Sequence, residues 1–252
     1  MKRVPVGITA MMAVLAVLSS LALLSGCGGG ATKVIVAPGY KRQFAINAEL
    51  ALVVLDKSPN IIYTGDLRKS LGALASDTGV SAERHAIDFF RAQLMKDIAG
   101  EIDVKEVFDS AVVQDYLVTK DFFRTADEDI TLEIPDKGTK FAFGEREAAL
   151  VLFLDKIRIG TETDPYYQER AQHGLYLSNA RKLVYLASFV LWDNRELRPI
   201  CYGRVKADTP ISREEAAAGD WEEVSRNFVR AMFEPTGFRK REDKTTGVEF
   251  IH

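Results

Sequence analysis

An uncharged apolar segment near the N-terminus most constrains how this chain can fold. Residues 8–24 contain no charged side chain, and Lys2 and Arg3 precede them. A short positive start followed by such a run is typical of an export signal. A single transmembrane anchor is the alternative, although a helix needs about 20 apolar residues to span a bilayer and this run is slightly shorter. We therefore expect residues 1–26 to be a signal peptide that is removed.

The end of this segment carries a short motif. Leu24-Ser25-Gly26-Cys27 resembles the lipobox of bacterial lipoproteins: an aliphatic residue, two small residues and an acceptor cysteine. The resemblance implies a diacylglyceryl group on Cys27, cleavage between Gly26 and Cys27, and acylation of the new amino group. Two or more acyl chains make membrane attachment stable. Because Gly28 rather than Asp follows, the resemblance also implies the outer membrane, facing the periplasm.

Cysteine content agrees with this interpretation. The chain has two cysteines, Cys27 and Cys201, so lipidation of the first excludes an intramolecular disulfide. We expect Cys201 to be a small buried apolar group rather than a nucleophile. Apart from the lipid on Cys27, the sequence indicates no cofactor.

Composition and charge limit the remaining options. The chain is 47% hydrophobic and 27% charged, as in an average globular protein. After a flexible spacer over residues 27–32, we expect one globular domain over residues 33–252. The 36 acidic residues outnumber the 33 basic ones, two of which lie in the leader, which argues against nucleic acid as a partner.

The first half of the domain shows alternating strand and helix patterns. Strands are predicted at residues 33–37, 60–64 and 130–134. Four helices are predicted from apolar spacing or capping residues. The first runs through Phe44, Ala48, Leu52 and Leu55, and the others cover 66–74, 81–100 and 105–118. The helix over 81–100 has the apolar stripe Ile87, Phe90, Leu94 and Ile98. We expect the first two strands to pair in parallel through a right-handed crossover.

The second half is richer in strands. Leu150–Leu154 is apolar on both faces, which is typical of a central strand, and alternation then places Ile157 and Ile159 inward. Strands at 181–193 and 199–206 would complete an antiparallel meander. The last helix is predicted from Asp220, with Glu223 completing a capping box. Its apolar stripe is Trp221, Val224, Phe228 and Met232.

These patterns predict a mixed α/β fold, in which an N-terminal βαβα unit and a C-terminal antiparallel meander form one sheet with helices packed on it. Residues 33–38 and 61–71 resemble the α/β domain found in the amino-terminal part of TolB, in curli-secretion lipoproteins and in lipoprotein activators of penicillin-binding proteins. The resemblance implies a supporting role beside another envelope protein.

The search for reactive groups finds no catalytic residues and no metal site. No nucleophile elbow, zinc helix or phosphate loop occurs in the sequence. His85 lies off the apolar stripe of its helix, so we expect it to be solvated, and His252 ends the chain. The acidic run Asp127-Glu128-Asp129 fits a solvated loop better than an acid and base pair.

One loop could bind a partner. Tyr166, Tyr167 and His173 lie in the polar stretch between two long predicted strands, and exposed tyrosines give large contact area at low entropic cost. The alternative is an ordinary connection with its tyrosines packed against the sheet rim.

Three functions are compatible with these observations. The favoured hypothesis is a non-enzymatic binding or assembly module, anchored by lipid in the cell envelope, that supports another envelope protein. A lipid-anchored periplasmic hydrolase without a recognisable motif is the alternative. A solute-binding lipoprotein fits less well, because two α/β lobes are not evident.

Overall fold

The computed structural model describes residues 32–40, 48–55, 60–61, 82–111, 115–124, 129–163, 181–211 and 216–240. All of them belong to one unit, Ala31–His252. Within these ranges, no helix has both the length and the apolar character needed to cross a membrane.

Nine strands and two α-helices make up the described part of the fold. In chain order they are β1 (Lys33–Val36), β2 (Glu49–Val54), β3 (Asn60–Ile61), α1 (Ala82–Glu101), β4 (Glu106–Ser110), β5 (Val118–Arg124), β6 (Asp129–Pro135), β7 (Leu150–Thr163), β8 (Arg181–Asp193), β9 (Arg198–Ile211) and α2 (Ala218–Phe233). A single 3₁₀ turn, Pro38–Tyr40, follows β1.

Seven strands form one mixed sheet in the order β1-β9-β8-β7-β2-β4, with β3 also paired to β7. Strands β7, β8 and β9 are an antiparallel meander, whereas β2 runs parallel to both β7 and β4. The remaining strands, β5 and β6, form a separate antiparallel hairpin. The predicted mixed α/β class is therefore confirmed.

The long strands match the sequence pattern closely. In β7, Leu150, Leu152 and Leu154 face the helices, and a bulge between Asp155 and Arg158 then shifts the phase so that Ile157 and Ile159 face the same side. Lys156 adopts φ 51° within this bulge. An added residue resets strand alternation in this way. The predicted inward positions of Ile157 and Ile159 are confirmed.

The two helices cover one side of the sheet, which we call the helix side. Phe90, Leu94 and Ile98 of α1 are buried there, as predicted. The apolar stripe of α2 is also confirmed, since Trp221, Val224, Phe228 and Met232 are all buried. Tyr185 from β8 packs edge-on to the ring of Phe90. The helix side thus forms a closed core of aliphatic and aromatic side chains.

The β5–β6 hairpin lies over the opposite side of the sheet, which we call the hairpin side. Ile130, Leu132 and Ile134 of β6 pack there with Phe153 of β7 and Trp192 of β8. The predicted strand at 130–134 is confirmed as β6. The sheet is thus buried on both sides, by helices on one and by a hairpin on the other.

Two predicted helices are wrong. The first was expected to run through Ala48, Leu52 and Leu55, but Glu49–Val54 is the strand β2. Residues four apart share a face in a helix and also in a strand, so this spacing does not separate the two structures. Strand β2 lies between β4 and β7, and its apolar residues are buried on both faces, by the helix-side core and by the hairpin-side core.

The second wrong helix was expected over residues 105–118. Glu106–Ser110 forms β4 instead, and β5 begins at Val118. Strand β4 pairs with β2, more than fifty residues earlier in the chain. A local sequence pattern gives no information about a partner so far away in the chain.

Smaller corrections concern strand pairing and helix ends. Strands β1 and β3 do not pair with each other: β1 pairs antiparallel with β9, and β3 pairs parallel with β7. Helix α2 begins at Ala218, and the Asp220 carboxylate accepts a hydrogen bond from the Ala217 backbone N–H at 2.7 Å. Asp220 is therefore the third residue of the helix rather than its N-cap, and its carboxylate accepts the backbone N–H of the N-cap residue, Ala217. The helix predicted at 66–74 lies outside the described residues.

Candidate functional site

The hairpin side has one strand whose side chains are largely solvent-exposed. Strand β5 pairs with β6 from Val118 opposite Pro135 to Arg124 opposite Asp129. Alternate residues of β6 point into the core, whereas the residues of β5 whose burial is described are exposed or only half-buried. The hairpin therefore presents an outer surface built mainly by β5.

Four large apolar side chains of the described residues are exposed, and we call them together the hairpin apolar surface. Leu117 is 76% exposed, Phe122 69%, and Val118 and Leu55 37% each. Val118 and Phe122 are four residues apart on one strand, so they share a face at a separation of about 13 Å. Three of the four side chains, Leu117, Val118 and Phe122, thus belong to one six-residue stretch at the start of β5.

Two ion pairs lie on the same face of the hairpin as Val118 and Phe122. Lys120 Nζ lies 3.4 Å from a Glu133 carboxylate oxygen, and Arg124 Nε lies 2.6 Å from Asp129 Oδ1. Each pair joins directly opposite residues of β5 and β6. Asp129, from the predicted acidic loop, is exposed and paired; Asp127 and Glu128 lie outside the described residues. The outer face of β5 therefore alternates apolar and charged side chains, with Lys120 between Val118 and Phe122.

Polar contacts hold the hairpin in place. Lys156 Nζ, in the β7 bulge, donates to the Thr131 carbonyl at 2.7 Å. Tyr202 of β9 hydrogen-bonds to Asp121 of β5, and burial together with the Asp121 carboxylate raises the pKa of Tyr202 to about 12. These contacts tie the hairpin to both β7 and β9, so its exposed face has a defined position.

Aromatic rings anchor the hairpin from below. The Phe141 ring lies 5.1 Å from that of Tyr116, 4.9 Å from that of Phe153 and 6.0 Å from that of Trp192. Edge-to-face pairs at these separations are favourable. The segment just before β5 is therefore fixed by Tyr116, while the next residue, Leu117, points into solvent.

A small crevice opens between the hairpin and the sheet, and we call it the hairpin crevice. It encloses about 40 Å³. Leu55 and Val118 of the hairpin apolar surface line it, together with Asp155, Glu133 and Ser188. Burial, followed by the charges of Asp155 and Glu133, raises the pKa of Tyr116 in the same crevice.

A larger groove of about 660 Å³ lies at the starts of β2 and β7. Three of its charged groups are linked by ion pairs: Arg146 contacts Glu49 at 3.4 Å and the neighbouring Glu106 at 2.8 Å, and Lys105 contacts Glu49 at 3.8 Å. The buried Asn194 closes one wall, because its amide donates to the carbonyls of Phe141 and Ala148. These contacts hold the 139–149 segment against the sheet.

The predicted partner-binding and signal-cleavage residues lie outside the residues that the structure describes. Gly26, Cys27, Tyr166, Tyr167 and His173 all lie beyond the described ranges, so those interpretations stay predictions. Cys201 is fully buried in β9, as expected, and burial raises the pKa of its thiol. Across the described ranges, no three His, Cys, Asp or Glu side chains converge as metal ligands.

Sequence reasoning missed the hairpin apolar surface. Tyr-Leu-Val-Thr-Lys-Asp-Phe-Phe, residues 116–123, mixes aromatic, β-branched and charged residues in a way typical of a strand with a wet face. This pattern predicts a strand, but the predicted helix over 105–118 overlapped the start of the segment, so the strand was not recognised. The exposure of Leu117 and Phe122 could not be found without knowing what packs against β5.

Comparison with known proteins gives likeness only to solved structures. No protein-family model matches the chain, and no curated protein matches it. A PelC dodecamer from Paraburkholderia phytofirmans is similar at 11% identity and a TM-score of 0.35, covering 84% of this chain and 100% of that one. A Xanthomonas campestris protein of the family DUF330 is similar at 11% identity and a TM-score of 0.31, covering 79% of this chain and 88% of that one.

Proposed function

We propose that this protein is a lipid-anchored accessory protein of the cell envelope, which binds another envelope protein through the hairpin apolar surface and performs no catalysis of its own. In this proposal Cys27 carries the lipid and the folded body faces the periplasm from the outer membrane. The observation that carries the proposal is the exposure of Leu117 and Phe122 beside a defined, ion-paired strand.

The geometry of β5 supports a protein as the partner. Within the described residues, β5 pairs with β6 and with no other strand, so its second edge presents backbone donors and acceptors. An unpaired edge bordered by exposed apolar side chains is a template for an added strand. Backbone hydrogen bonds would supply affinity, while Val118 and Phe122 would select apolar side chains on one face of the partner.

The position of the anchor supports an envelope partner. Five residues separate Cys27 from Lys33, where β1 begins. A spacer this short spans at most about 18 Å when extended. The folded body would therefore stay near the membrane surface, where only envelope proteins are within reach.

The lipid attachment can be tested by metabolic labelling with palmitate. We expect Cys27→Ala to abolish the label, because it removes the acceptor thiol. The matched control is Cys201→Ala, which removes the buried cysteine and should keep the label. Label retained by the Cys27 variant, or an unmodified native N-terminus by mass spectrometry, would refute the anchor.

The binding surface can be tested by photo-cross-linking in native membranes. A photoreactive phenylalanine analogue at position 122 or 117 should give a discrete cross-linked product. The same analogue in place of Glu145, an exposed residue of the 139–149 segment, serves as the control and should give none. Identical products from all three positions would show that the hairpin apolar surface is not selective.

A further inference from the structure

The chain enters the fold beside the end of β5. Thr32 makes two hydrogen bonds with the backbone of Lys206 in β9: its Oγ1 donates to the Lys206 carbonyl at 3.1 Å and accepts from the Lys206 N–H at 3.0 Å. The next residue, Lys33, donates from Nζ to the carbonyl of Arg124, the last residue of β5, at 3.5 Å. The chain is therefore held against β9 and β5 at Thr32 and Lys33, which we call the entry point.

The path of β5 over the sheet shows which end of this strand is nearest to the entry point. Asp121 of β5 hydrogen-bonds to Tyr202 of β9, whereas Arg124 lies beside Lys33. In the register of β1 on β9, Lys33 is opposite Arg204, which is two residues further along β9 than Tyr202. Strand β5 therefore runs toward the start of β1 and ends there.

Phe122 is the residue of the hairpin apolar surface closest to the entry point along β5. It precedes Arg124 by two residues, or about 7 Å, whereas Val118 precedes it by six residues, or about 20 Å. Phe122 and Val118 share the outer face of β5, because alternate residues of a strand point to the same side. The hairpin apolar surface therefore extends away from the entry point, with Phe122 at its near end.

The second edge of β5 faces the β1 side of the molecule. Strand β6 contacts β7 through Lys156 and the Thr131 carbonyl, whereas β5 contacts β9 and β1 through Asp121 and Arg124. Strand β1 is the outermost strand of the large sheet on this side. A strand added to β5 would therefore lie on the side of the molecule where the chain leads to Cys27.

Little chain separates the entry point from the acylated residue of the proposed function. Four residues, 28–31, lie between Cys27 and Thr32. When extended, this spacer spans at most about 18 Å, so the Phe122 end of the hairpin apolar surface stays within roughly 35 Å of Cys27. A segment that pairs with β5 must therefore occupy the same layer next to the bilayer.

We propose that the strand added to β5 belongs to an integral protein of the same membrane and leaves the bilayer beside the lipid anchor, an inference that rests on the proposed function. A segment that continues from a membrane-spanning region stays in this layer permanently, so the two proteins meet at a high effective concentration. The segment would pair with the second edge of β5, contacting Phe122 first and Val118 further from the bilayer.

Fluorophores on introduced cysteines test the placement. Cys27 carries the lipid in the proposed function and Cys201 is fully buried, so an introduced surface cysteine is the reactive thiol. The label is placed on Phe122→Cys, Val118→Cys or Asp103→Cys in the lipidated protein, reconstituted into vesicles of phosphatidylethanolamine and phosphatidylglycerol. Spin-labelled headgroups should quench the fluorescence most at position 122, less at 118 and least at 103.

Asp103 is the matched control for this measurement. It is exposed and directly precedes β4, the outermost strand at the opposite edge of the sheet. Five strand spacings separate β1 from β4, or about 24 Å. Near-ultraviolet circular dichroism checks that each variant is folded.

Label transfer in native membranes tests the class of partner. A biotin-tagged benzophenone is joined through a disulfide to Phe122→Cys, so that photolysis followed by reduction leaves the tag on the partner and frees it from the lipoprotein. We expect the tagged partner to stay in membranes washed with alkaline carbonate, which extracts proteins without a membrane anchor. The same reagent on Asp103→Cys should not tag it.

The outcomes separate this inference from the proposed function. A tagged partner that carbonate extracts, or that is itself labelled by palmitate, would overturn the integral partner and leave the binding surface standing. Quenching at position 103 that equals or exceeds that at 122 would overturn the placement beside the anchor. A tag on a second copy of this chain would identify self-association and overturn the inference.

Two results would overturn the binding surface and this inference together. One is the absence of any protein that is tagged from position 122 and not from 103. The other is quenching of the fluorophore at 122 by spin labels deep in the acyl chains, which would show that Phe122 contacts lipid rather than protein.

Discussion

The helix side and the hairpin side of the sheet are both packed, but only the helix side is complete. Trp221, Phe228 and Phe233 of α2 are essentially inaccessible to solvent. On the hairpin side β6 buries its inner face, while Leu117 and Phe122 remain in solvent. Each large apolar side chain left exposed forgoes about 1.5–3 kcal/mol of burial.

This difference separates the side that stabilises the fold from the side that, in the proposed function, binds a partner. The helix side gains its free energy within the chain, from side chains that contact one another in the folded protein. The hairpin side leaves part of its apolar area, at Leu117 and Phe122, exposed to solvent. A chain that buried everything on both sides would have no such surface to offer.

The largest expected difference in stability comes from replacing one phenylalanine with alanine on each side of the sheet. Phe228→Ala on the helix side should lower the free energy of unfolding by about 3–5 kcal/mol, because it leaves a cavity in a closed core. Phe122→Ala on the hairpin side should change it by no more than about 0.5 kcal/mol. Urea denaturation measures both.

The comparison fails if the two phenylalanine variants are equally destabilised. That result would mean that Phe122 is buried in solution, and the hairpin side would then be as complete as the helix side. The slope of unfolding against urea should be the same for both variants, since neither changes the overall surface exposed on unfolding by much.

An intermediate effect is expected where β1 approaches β9. A Cβ added at Gly203 would collide with the Lys33 carbonyl oxygen and the backbone of Val34. Gly203→Ala should therefore cost about 1–3 kcal/mol and weaken the protection of β1 amides in hydrogen exchange. Because backbone atoms cannot rotate away, β1 must move.

The matched control is Gly100→Ala. Gly100 lies inside α1, and a Cβ there would meet no atom within 4 Å. Alanine should stabilise this helix by about 0.5–1 kcal/mol relative to glycine. Equal protection of β1 amides in the two variants would contradict the close approach of β1 to β9.

The smallest effect concerns two tyrosines, one on each side. Burial and the hydrogen bond from Tyr40 Oη to Asp193 Oδ2, 2.7 Å long, raise the pKa of Tyr40 from 10.0 to about 12 on the helix side. Tyr202 is raised to about 12 through burial and Asp121 on the hairpin side. A raised pKa means that folding favours the protonated phenol, so its stabilising effect is complete below pH 10 and is lost as the pH rises to 12.

Tyr40→Phe and Tyr202→Phe should each reduce the loss of stability between these two pH values. The free energy of unfolding at a series of alkaline pH values measures this loss, and the shared effects of lysine titration cancel between variants. Removing both tyrosines should flatten the alkaline limb further. An unchanged alkaline limb in both variants would show that neither phenol is protected by folding.

Long, strongly patterned segments allowed accurate prediction. Arg181–Asp193 was predicted and is found as β8 with the same bounds, because its ten central positions, Leu183–Trp192, are apolar except for Ser188. The stripe of α2 was equally clear. By contrast, Glu49–Val54 and Glu106–Ser110 are short, and their strand character depends on pairing with each other. Short apolar segments fit a helix and a strand equally well.

The candidate site was less predictable than the fold. Cys27, Tyr166, Tyr167 and His173 remain predictions, whereas the described surface is built by Leu55, Leu117, Val118 and Phe122. Ser188 and Asp155 became neighbours only through the register of β7 on β8. No spacing within the chain signals a pair that is 33 residues apart, because the contact exists only after both strands are placed.

By itself, the sequence determined the mixed α/β class, the meander of long strands and the two apolar helix stripes. Each of these follows from local periodicity, which dictates which face of an element must leave water. The tertiary structure decided that β2 and β4 are strands, that β5 stays exposed and that β5 ends beside the start of β1. These outcomes depend on pairing between distant residues, such as Leu50 with Leu150. The free energy of such pairing cannot be inferred from a local sequence pattern.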